Sequence, residues 1–374
     1  MTAAADFALP PARQGFRWPA EWERHAATWL SWPHKEASWP GKLDRIPPVF
    51  VEMTRQLSRG EWVHINVLHK GMAAEVRARL ARAGVTERVT VHIVANNDAW
   101  IRDHGPIFLS REGDGGAQMI LDWRYNAWGG KYPPYALDDA VPHRVGELLE
   151  VPVLEPDMVL EGGSVDGDGE GTVLTTESCL LNPNRNPALD RTAIEQRLRD
   201  WLGARTILWL GDGIVGDDTD GHVDDITRFV APGVVVTAVE PNRSDPNHEP
   251  LAANLERLRG MRDAAGRALT IHTLPMPAPV EQEGQRLPAS YANFYIGNAV
   301  VLLPVFGCPQ DAEAERTLAR LFPGRAVAAM DARDLVWGLG AFHCLTQQQP
   351  QSGAPGPGYG AGTARPAASS LTEK

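Results

Sequence analysis

Cysteine is scarce in this chain: Cys179, Cys308 and Cys344 are the only three among 374 residues. Three thiols at uneven spacing build neither a disulfide framework nor a zinc motif, and an odd count suits a reducing compartment. Long apolar runs are missing too. Nothing approaches the roughly 18 consecutive apolar residues that span a bilayer, and Met1 to Arg17 lacks the apolar segment behind a basic cluster that marks a secretory leader. Positive charge is in deficit: 36 Lys and Arg against 47 Asp and Glu leave a formal net charge of −11. That balance argues against nucleic acid or an anionic membrane as partner and favours a cationic one. The expectation is a cytoplasmic globular protein, 43% hydrophobic and 22% charged, long enough to bury a large core.

Two periodicities organise what is there. Val63, Ile65 and Val67, and again Val89, Val91 and Ile93, alternate with polar neighbours as in half-buried strands. Leu251, Leu255 and Leu258 share one helical face, as do Ile194, Leu198, Trp201 and Leu202. Strands are predicted near 61–68, 88–95, 117–123, 158–165, 171–176, 205–210, 225–230, 233–239, 269–274, 298–305 and 325–330. Helices are predicted near 46–59, 71–83, 137–149, 188–202, 249–263 and 310–322. Two or three strands separate successive helices, so a mixed α/β architecture is expected rather than a doubly wound parallel sheet. Polar motifs recur at intervals of 51 to 71 residues, from Trp32 through Asp103, Glu161, His222 and Asn293 to Cys344. Strands and one helix per interval suggest a propeller or similar radial repeat with polar residues at its centre. Residues 1–349 are read as one catalytic domain, and 350–374, rich in Gly, Pro and Ala, as a disordered tail.

The residues able to do chemistry gather in a few places. A lone cysteine is most often a small buried hydrophobe. Around Cys344, however, Gly338 and Gly340 would let backbone approach a planar ligand, and the position at the end of the fold suits a nucleophile. His343, adjacent on a strand, would point to the opposite face and is a poor base. His222 lies in a run with five aspartates, Asp217, Asp218, Asp220, Asp224 and Asp225. A solvated acidic turn would explain the aspartates but not the spacing of His222 and Asp224 about Val223, which puts both on one face of a strand entrance. Zinc is disfavoured there, since no second His or Cys stands at ligand spacing. Asp98 and Asp103 bracket Trp100 and Arg102, either as a surface ion pair or as an aromatic wall and an anion for one cation. Asp166, Asp168, Glu170, Gly171 and Glu177 imitate a calcium loop, but a preceding strand and the helix-breaking Leu181-Asn182-Pro183-Asn184 favour a hairpin turn.

Seven stretches, Ala27 to Pro33, Trp100 to Pro106, Asn126 to Gly130, Leu160 to Ser164, Asp220 to Asp224, Ser290 to Tyr295 and His343 to Gln348, together resemble the agmatine deiminase family. That family sits within the guanidino-group-modifying superfamily, beside bacterial peptidylarginine deiminases and arginine deiminases. The resemblance implies a five-bladed α/β propeller of pseudo-fivefold symmetry. It also implies Cys344 as nucleophile, His222 as general acid and base, Glu161 as the carboxylate that orients His222, and Asp103 and Asp224 as holders of a guanidinium. Trp100 and Trp123 would lie against the substrate, with Asp218 a further substrate-binding candidate. The chain departs from the family's glycine-rich run at Leu339, whose side chain would reshape the pocket.

The implied reaction is hydrolysis of agmatine to N-carbamoylputrescine and ammonia, a step toward putrescine. Paired carboxylates grip a guanidinium bidentately, a thiolate adds to its electron-poor carbon, and an imidazole moves the protons. No metal or organic cofactor is needed, the partner is a small cationic guanidine, and a homo-oligomer is compatible with the sequence. The competing readings are deimination of peptidyl-arginine or of another small guanidine, and a non-enzymatic acidic or calcium-binding module, which would leave Cys344 idle.

Overall fold

The computed structural model describes residues 9–111 and 116–351. Its strands, in chain order, are β1 His25–Ser31, β2 Trp62–Val67, β3 Val89–Ile93, β4 Ile107–Arg111, β5 Ala117–Leu121, β6 Val153–Leu154, β7 Val165–Gly167, β8 Thr172–Thr176 and β9 Thr206–Leu210. There follow β10 Thr227–Ala231, β11 Val234–Val239, β12 Thr270–Pro275, β13 Glu281–Gln282, β14 Gln285–Arg286, β15 Tyr295–Ile296, β16 Val300–Val305, β17 Ala326–Asp331 and β18 Gln347–Pro350.

Apart from the small hairpin β13–β14, the strands form five sheets that obey one rule. The orders are β4-β5-β6, β7-β8-β9, β10-β11-β12, β15-β16-β17 and β18-β1-β2-β3. In each, an antiparallel pair is followed by a parallel partner. A parallel pair needs a long crossover, and a helix supplies it in all six cases: Ile46–Leu57, Lys70–Arg82 (between β2 and β3, the extra strand of the four-stranded sheet), Val141–Leu149, Arg191–Leu202, His248–Gly260 and Asp311–Leu321. The unit is therefore strand, strand, helix, strand. The fifth unit is closed by the chain's end, because β18 pairs with β1, with Gln348 opposite Thr28.

The helices fall where the sequence places them, and for the reason given. Ile46, Phe50, Met53 and Leu57 recur at three- and four-residue steps and are buried. On His248–Gly260, Leu251 and Leu258 are buried as expected, but Asn254 rather than Leu255 completes the buried face. Its side chain accepts from Gly211 N and donates to Asp212 O.

Three expectations need correction. The strand expected at 158–165 is a loop and one short helical turn, Gly162–Ser164, with β7 starting only at Val165; Gly162 and Gly163 serve the site described below instead of a ladder. The tail does not begin at Pro350, which ends β18 opposite His25, and Gln351 N still donates to Arg24 O. The rest of the expected tail lies outside the described residues. Third, β1, β4 and β18, and the two-residue strands β6, β13, β14 and β15, are strands that the sequence pattern does not predict. The hairpin expected in place of a calcium loop is present as β7–β8, with Asp168 Oδ1 accepting from the backbone of Glu170 and Thr172. No helix among the described residues is long and apolar enough to cross a membrane.

One consequence of the repeat decides where chemistry can occur. Asp103 stands just ahead of β4, Glu161 just ahead of β7, His222 and Asp224 just ahead of β10, Asn293 just ahead of β15, and Cys344 just ahead of β18. The same position in every unit faces the others, so residues far apart in sequence converge on one place.

Candidate active site

Asp103 sits on the short helix Ile101–His104, fixed by two donors: Gly163 N at 3.0 Å to Oδ1 and Trp128 Nε1 at 3.0 Å to Oδ2. His222 precedes the helical turn Val223–Asp225, so the strand-face argument for grouping His222 and Asp224 does not hold. The two meet because the turn folds them together. The His222 ring is caged by three carboxylates at ion-pair range: Asp103 Oδ1 3.7 Å and Asp224 Oδ1 4.0 Å from Nδ1, and Glu161 Oε2 3.9 Å from Nε2. Neither ring nitrogen makes a hydrogen bond within the protein. Glu161 is anchored through its other oxygen, which accepts from Arg185 Nε at 2.6 Å.

Cys344 lies in the turn before β18, with Asn293 Nδ2 3.0 Å and Asp224 Oδ2 3.7 Å from its sulfur. Asn293 Oδ1 accepts from the backbone N–H groups of Ala341 and His343, at 3.2 and 3.1 Å, so one amide shapes the loop that carries the thiol. His343 is not idle: Nδ1 is 2.6 Å from Asp224 Oδ2 and Nε2 is 2.8 Å from Glu21 Oε2. Behind it, Glu21 is paired with Arg102 at 3.3 Å and Arg228 at 2.9 Å.

Glycines set the spacing. A Cβ on Gly163 would stand 2.6 Å from His222 Nδ1, 2.8 Å from Asp103 Oδ1 and 3.0 Å from Asp224 Oδ2. A Cβ on Gly340 would stand 2.7 Å from the Trp100 ring and 3.1 Å from Cys344 Sγ. The first glycine thus lets imidazole and carboxylates crowd together, and the second lets an indole face a thiol. Between Gly338 and Gly340, Leu339 adopts φ +69°, a left-handed conformation that costs a residue with a Cβ roughly 1–2 kcal/mol.

A cavity of about 180 Å³ leads to this group, and Trp100, Asp103, Trp128, Asp218, Leu339 and Cys344 are among the side chains that line it. Near its mouth, Lys35 is 3.1 Å from Asp98 Oδ2, which also accepts from Ser38, and the Tyr132 hydroxyl donates to Asp218. Cys344, His222, Glu161, Asp103, Asp224, Trp100 and Asp218 are therefore brought together as the sequence suggested. Trp123 is not: it belongs to a separate core cluster with Leu121, Met158 and Leu160, and Trp128 is the indole that reaches Asp103. Sequence reasoning gave no role to Asn293 or Trp128, although both lie in stretches singled out for their resemblance. Arg185, Glu21 and Cys179 carried no local signal at all.

Electrostatics define the resting state. Burial, with Asp224, Asp225 and Asp103 adding to it, pushes the Cys344 thiol well above its usual range. Burial disfavours a charged His222, but Asp103 and the groups around the ring outweigh it and raise its pKa well above normal. Burial likewise opposes ionisation of Asp224 and Glu161, yet His343 holds Asp224 below the ordinary carboxylate range and Arg185 does the same for Glu161. Asp103 is raised, by burial first and then by its acidic neighbours. These directions favour a neutral thiol beside an imidazolium and the ionised carboxylates of Asp224 and Glu161, a setting that suits a cation.

The sign of the thiol shift gives a test. In the free protein, alkylation of Cys344 is expected to be slow at neutral pH and to climb as pH rises, and Asp224→Asn, which removes a negative neighbour, is expected to move that climb to lower pH. An alkylation rate already at its plateau near neutrality would contradict this account.

The profile of Porphyromonas-type peptidyl-arginine deiminases matches residues 17–350. An agmatine deiminase of Pseudomonas aeruginosa is 39% identical over 363 residues, covering 91% of this chain and 97% of its own. Among solved structures, the agmatine deiminase of Enterococcus faecalis superposes with a TM-score of 0.86 at 34% identity, over 92% of this chain and 98% of that one. A cysteine-to-serine variant of the C. jejuni agmatine deiminase with substrate bound gives 0.82 at 29% identity, over 91% and 97%.

Proposed function

Because the chain belongs to the family of Porphyromonas-type peptidyl-arginine deiminases, with agmatine deiminases as full-length relatives, we propose that it hydrolyses agmatine to N-carbamoylputrescine and ammonia. The observation that carries this reading is a thiol 3.7 Å from Asp224 in a cavity that Asp103 also lines. Two carboxylates and a nucleophile there suit a planar cation and little else.

Asp103 and Asp224 take the N–H groups of the guanidinium, and Trp100 lies against it. The cation offsets the anions that raise the Cys344 pKa, so binding favours the thiolate. The thiolate adds to the central carbon, His222 gives its proton to the departing nitrogen, and ammonia leaves an S-alkylthiouronium. His222 then takes one proton from the water that adds to the same carbon; collapse of that adduct expels the thiolate and releases the second proton to the departing ammonia or solvent, leaving a neutral ureido group. Glu161, fixed by Arg185, steadies the imidazolium, and Asp218 borders the path to the mouth. No step calls on a metal or an organic cofactor.

The same reading takes the described residues as one catalytic domain arranged as a five-bladed α/β propeller. Its support is the five sheets of one pairing rule, the closure of β18 onto β1 and the convergence of the residues that precede each first strand.

Ammonia release from agmatine, arginine and an arginine-containing peptide distinguishes the substrates. Agmatine is expected to have the highest kcat/KM, by at least about tenfold, equivalent to ~1.4 kcal/mol of transition-state binding. Preference for the peptide would reject the small-amine assignment in favour of peptidyl-arginine.

A further inference from the structure

Folding brings a second thiol up to Glu161 and His222. Cys179, on the short helix Glu177–Leu180, is fully buried, and a ligating atom from each of Glu161, Cys179 and His222 lies within 4.8 Å of the other two. Glu161 Oε2 and His222 Nε2 are 3.9 Å apart and have no hydrogen-bond partner despite complete burial. Buried polar atoms are seldom left so. A carboxylate, an imidazole and a thiol facing one another form a mixed O, N, S donor set of the kind that zinc favours.

We propose that Glu161, Cys179 and His222 form an inhibitory site for a thiophilic divalent cation, with zinc as its probe. A tetrahedral zinc places such donors about 3.3–3.7 Å apart, so the triangle has to contract by only about an ångström. The surroundings favour added positive charge. Arg185 is neutralised by Glu161 at 2.6 Å and by Asp220, and Asp103 and Asp224 stand on the other side of the imidazole. Binding releases the thiol proton, and the proton on the coordinating ring nitrogen, to solvent. Neither Cys344 nor its cavity is altered. The loss is the proton carrier, because an imidazole that ligates a metal through Nε2 is no longer free to shuttle between leaving group and water. Burial predicts slow onset, since His222 has to swing aside for the ion to enter.

The loss of activity rests on the proposed role of His222, but occupancy of the site does not, and two readouts separate them. The chelator-treated wild type, Cys179→Ser, Cys179→Ala and Cys344→Ser are titrated with zinc while ammonia release is followed, and with cobalt while the near-ultraviolet thiolate-to-cobalt absorption is followed. The wild type is expected to lose turnover progressively and regain it with chelator. Both Cys179 variants are expected to keep near-normal turnover while needing at least about tenfold more zinc for the same inhibition, the scale of an altered ligand sphere. The cobalt band is expected in the wild type and in Cys344→Ser, and to be absent from both Cys179 variants. Unchanged zinc sensitivity in the Cys179 variants, a cobalt band that follows Cys344 or Cys308, or no band at all would overturn the proposal. An inactive wild type that still shows a Cys179-dependent band would leave the metal site standing and remove the catalytic reading instead.

Discussion

Cys344→Ala is expected to lower kcat by at least about 10⁴-fold, because in the proposed reaction every covalent step passes through one sulfur and nothing else near the cavity can replace it. The other thiols do not line the cavity: Cys179 stands by Glu161 and His222, and Cys308 sits by Tyr291 and Asp311. Loss of fold would not explain the result. The substitution removes one atom from a turn whose shape is held by Asn293 Oδ1 through the backbone of Ala341 and His343. Cys344→Ser, which keeps a group able to accept from Asn293, is expected to be similarly inactive yet to bind agmatine with an affinity within a few fold of the wild-type KM. Mass spectrometry of wild-type enzyme quenched during turnover should show the thiouronium adduct on the peptide carrying Cys344. Turnover by Cys344→Ala within about tenfold of the wild type would exclude the covalent route.

A second large effect is expected where there is no functional group. Gly163→Ala would drive a methyl between His222, Asp103 and Asp224, all within 3.0 Å of the new carbon. Each must move outward by several tenths of an ångström; the two carboxylates are held, Asp103 by Trp128 and Asp224 by His343, so the His222 ring takes most of the displacement. A misplacement of about 1 Å costs about 10²-fold, so displacing a bound cation and its proton donor by several tenths is expected to cost about 10-fold or more in kcat/KM, against an overpacking penalty of roughly 1–3 kcal/mol in stability. Gly260→Ala is the control, because a Cβ there meets nothing within 4 Å, and it should be silent. Kinetics beside a thermal melt would separate the effects, and normal kcat/KM in a folded Gly163→Ala protein would show that the triangle is looser than described.

How much of this was readable beforehand follows from where each signal is carried. Helices were legible because Ile46, Phe50, Met53 and Leu57, or Ile194, Leu198 and Leu202, announce one buried face within a dozen residues. β1 was not, since six of its seven residues are buried and no alternation survives when both faces are covered. β18 reads as polar, Gln347-Gln348-Gln349-Pro350, and was assigned in part to a tail. Its glutamines are buried because they have partners: Gln347 donates to Pro106 O, Gln348 accepts from Arg102, and Gln349 accepts from Trp29 Nε1. Trp123 and Trp128 are both tryptophans in polar stretches, and only three dimensions separate the one in the core from the one at Asp103.

The types of residue proposed to do the chemistry, their order along the chain and the loose repeat that spaces them were determined by sequence alone, because thiol, imidazole and carboxylates are properties of single side chains and the repeat is a property of the string. Tertiary structure alone decided which carboxylate oxygens stay unpaired, that Asn293 holds the thiol's loop, that Trp128 rather than Trp123 serves Asp103, and that Cys179 stands by Glu161 and His222. Those are facts about distances across 25 to 120 residues of chain. Such distances are fixed by how five sheets pack, which no local pattern encodes.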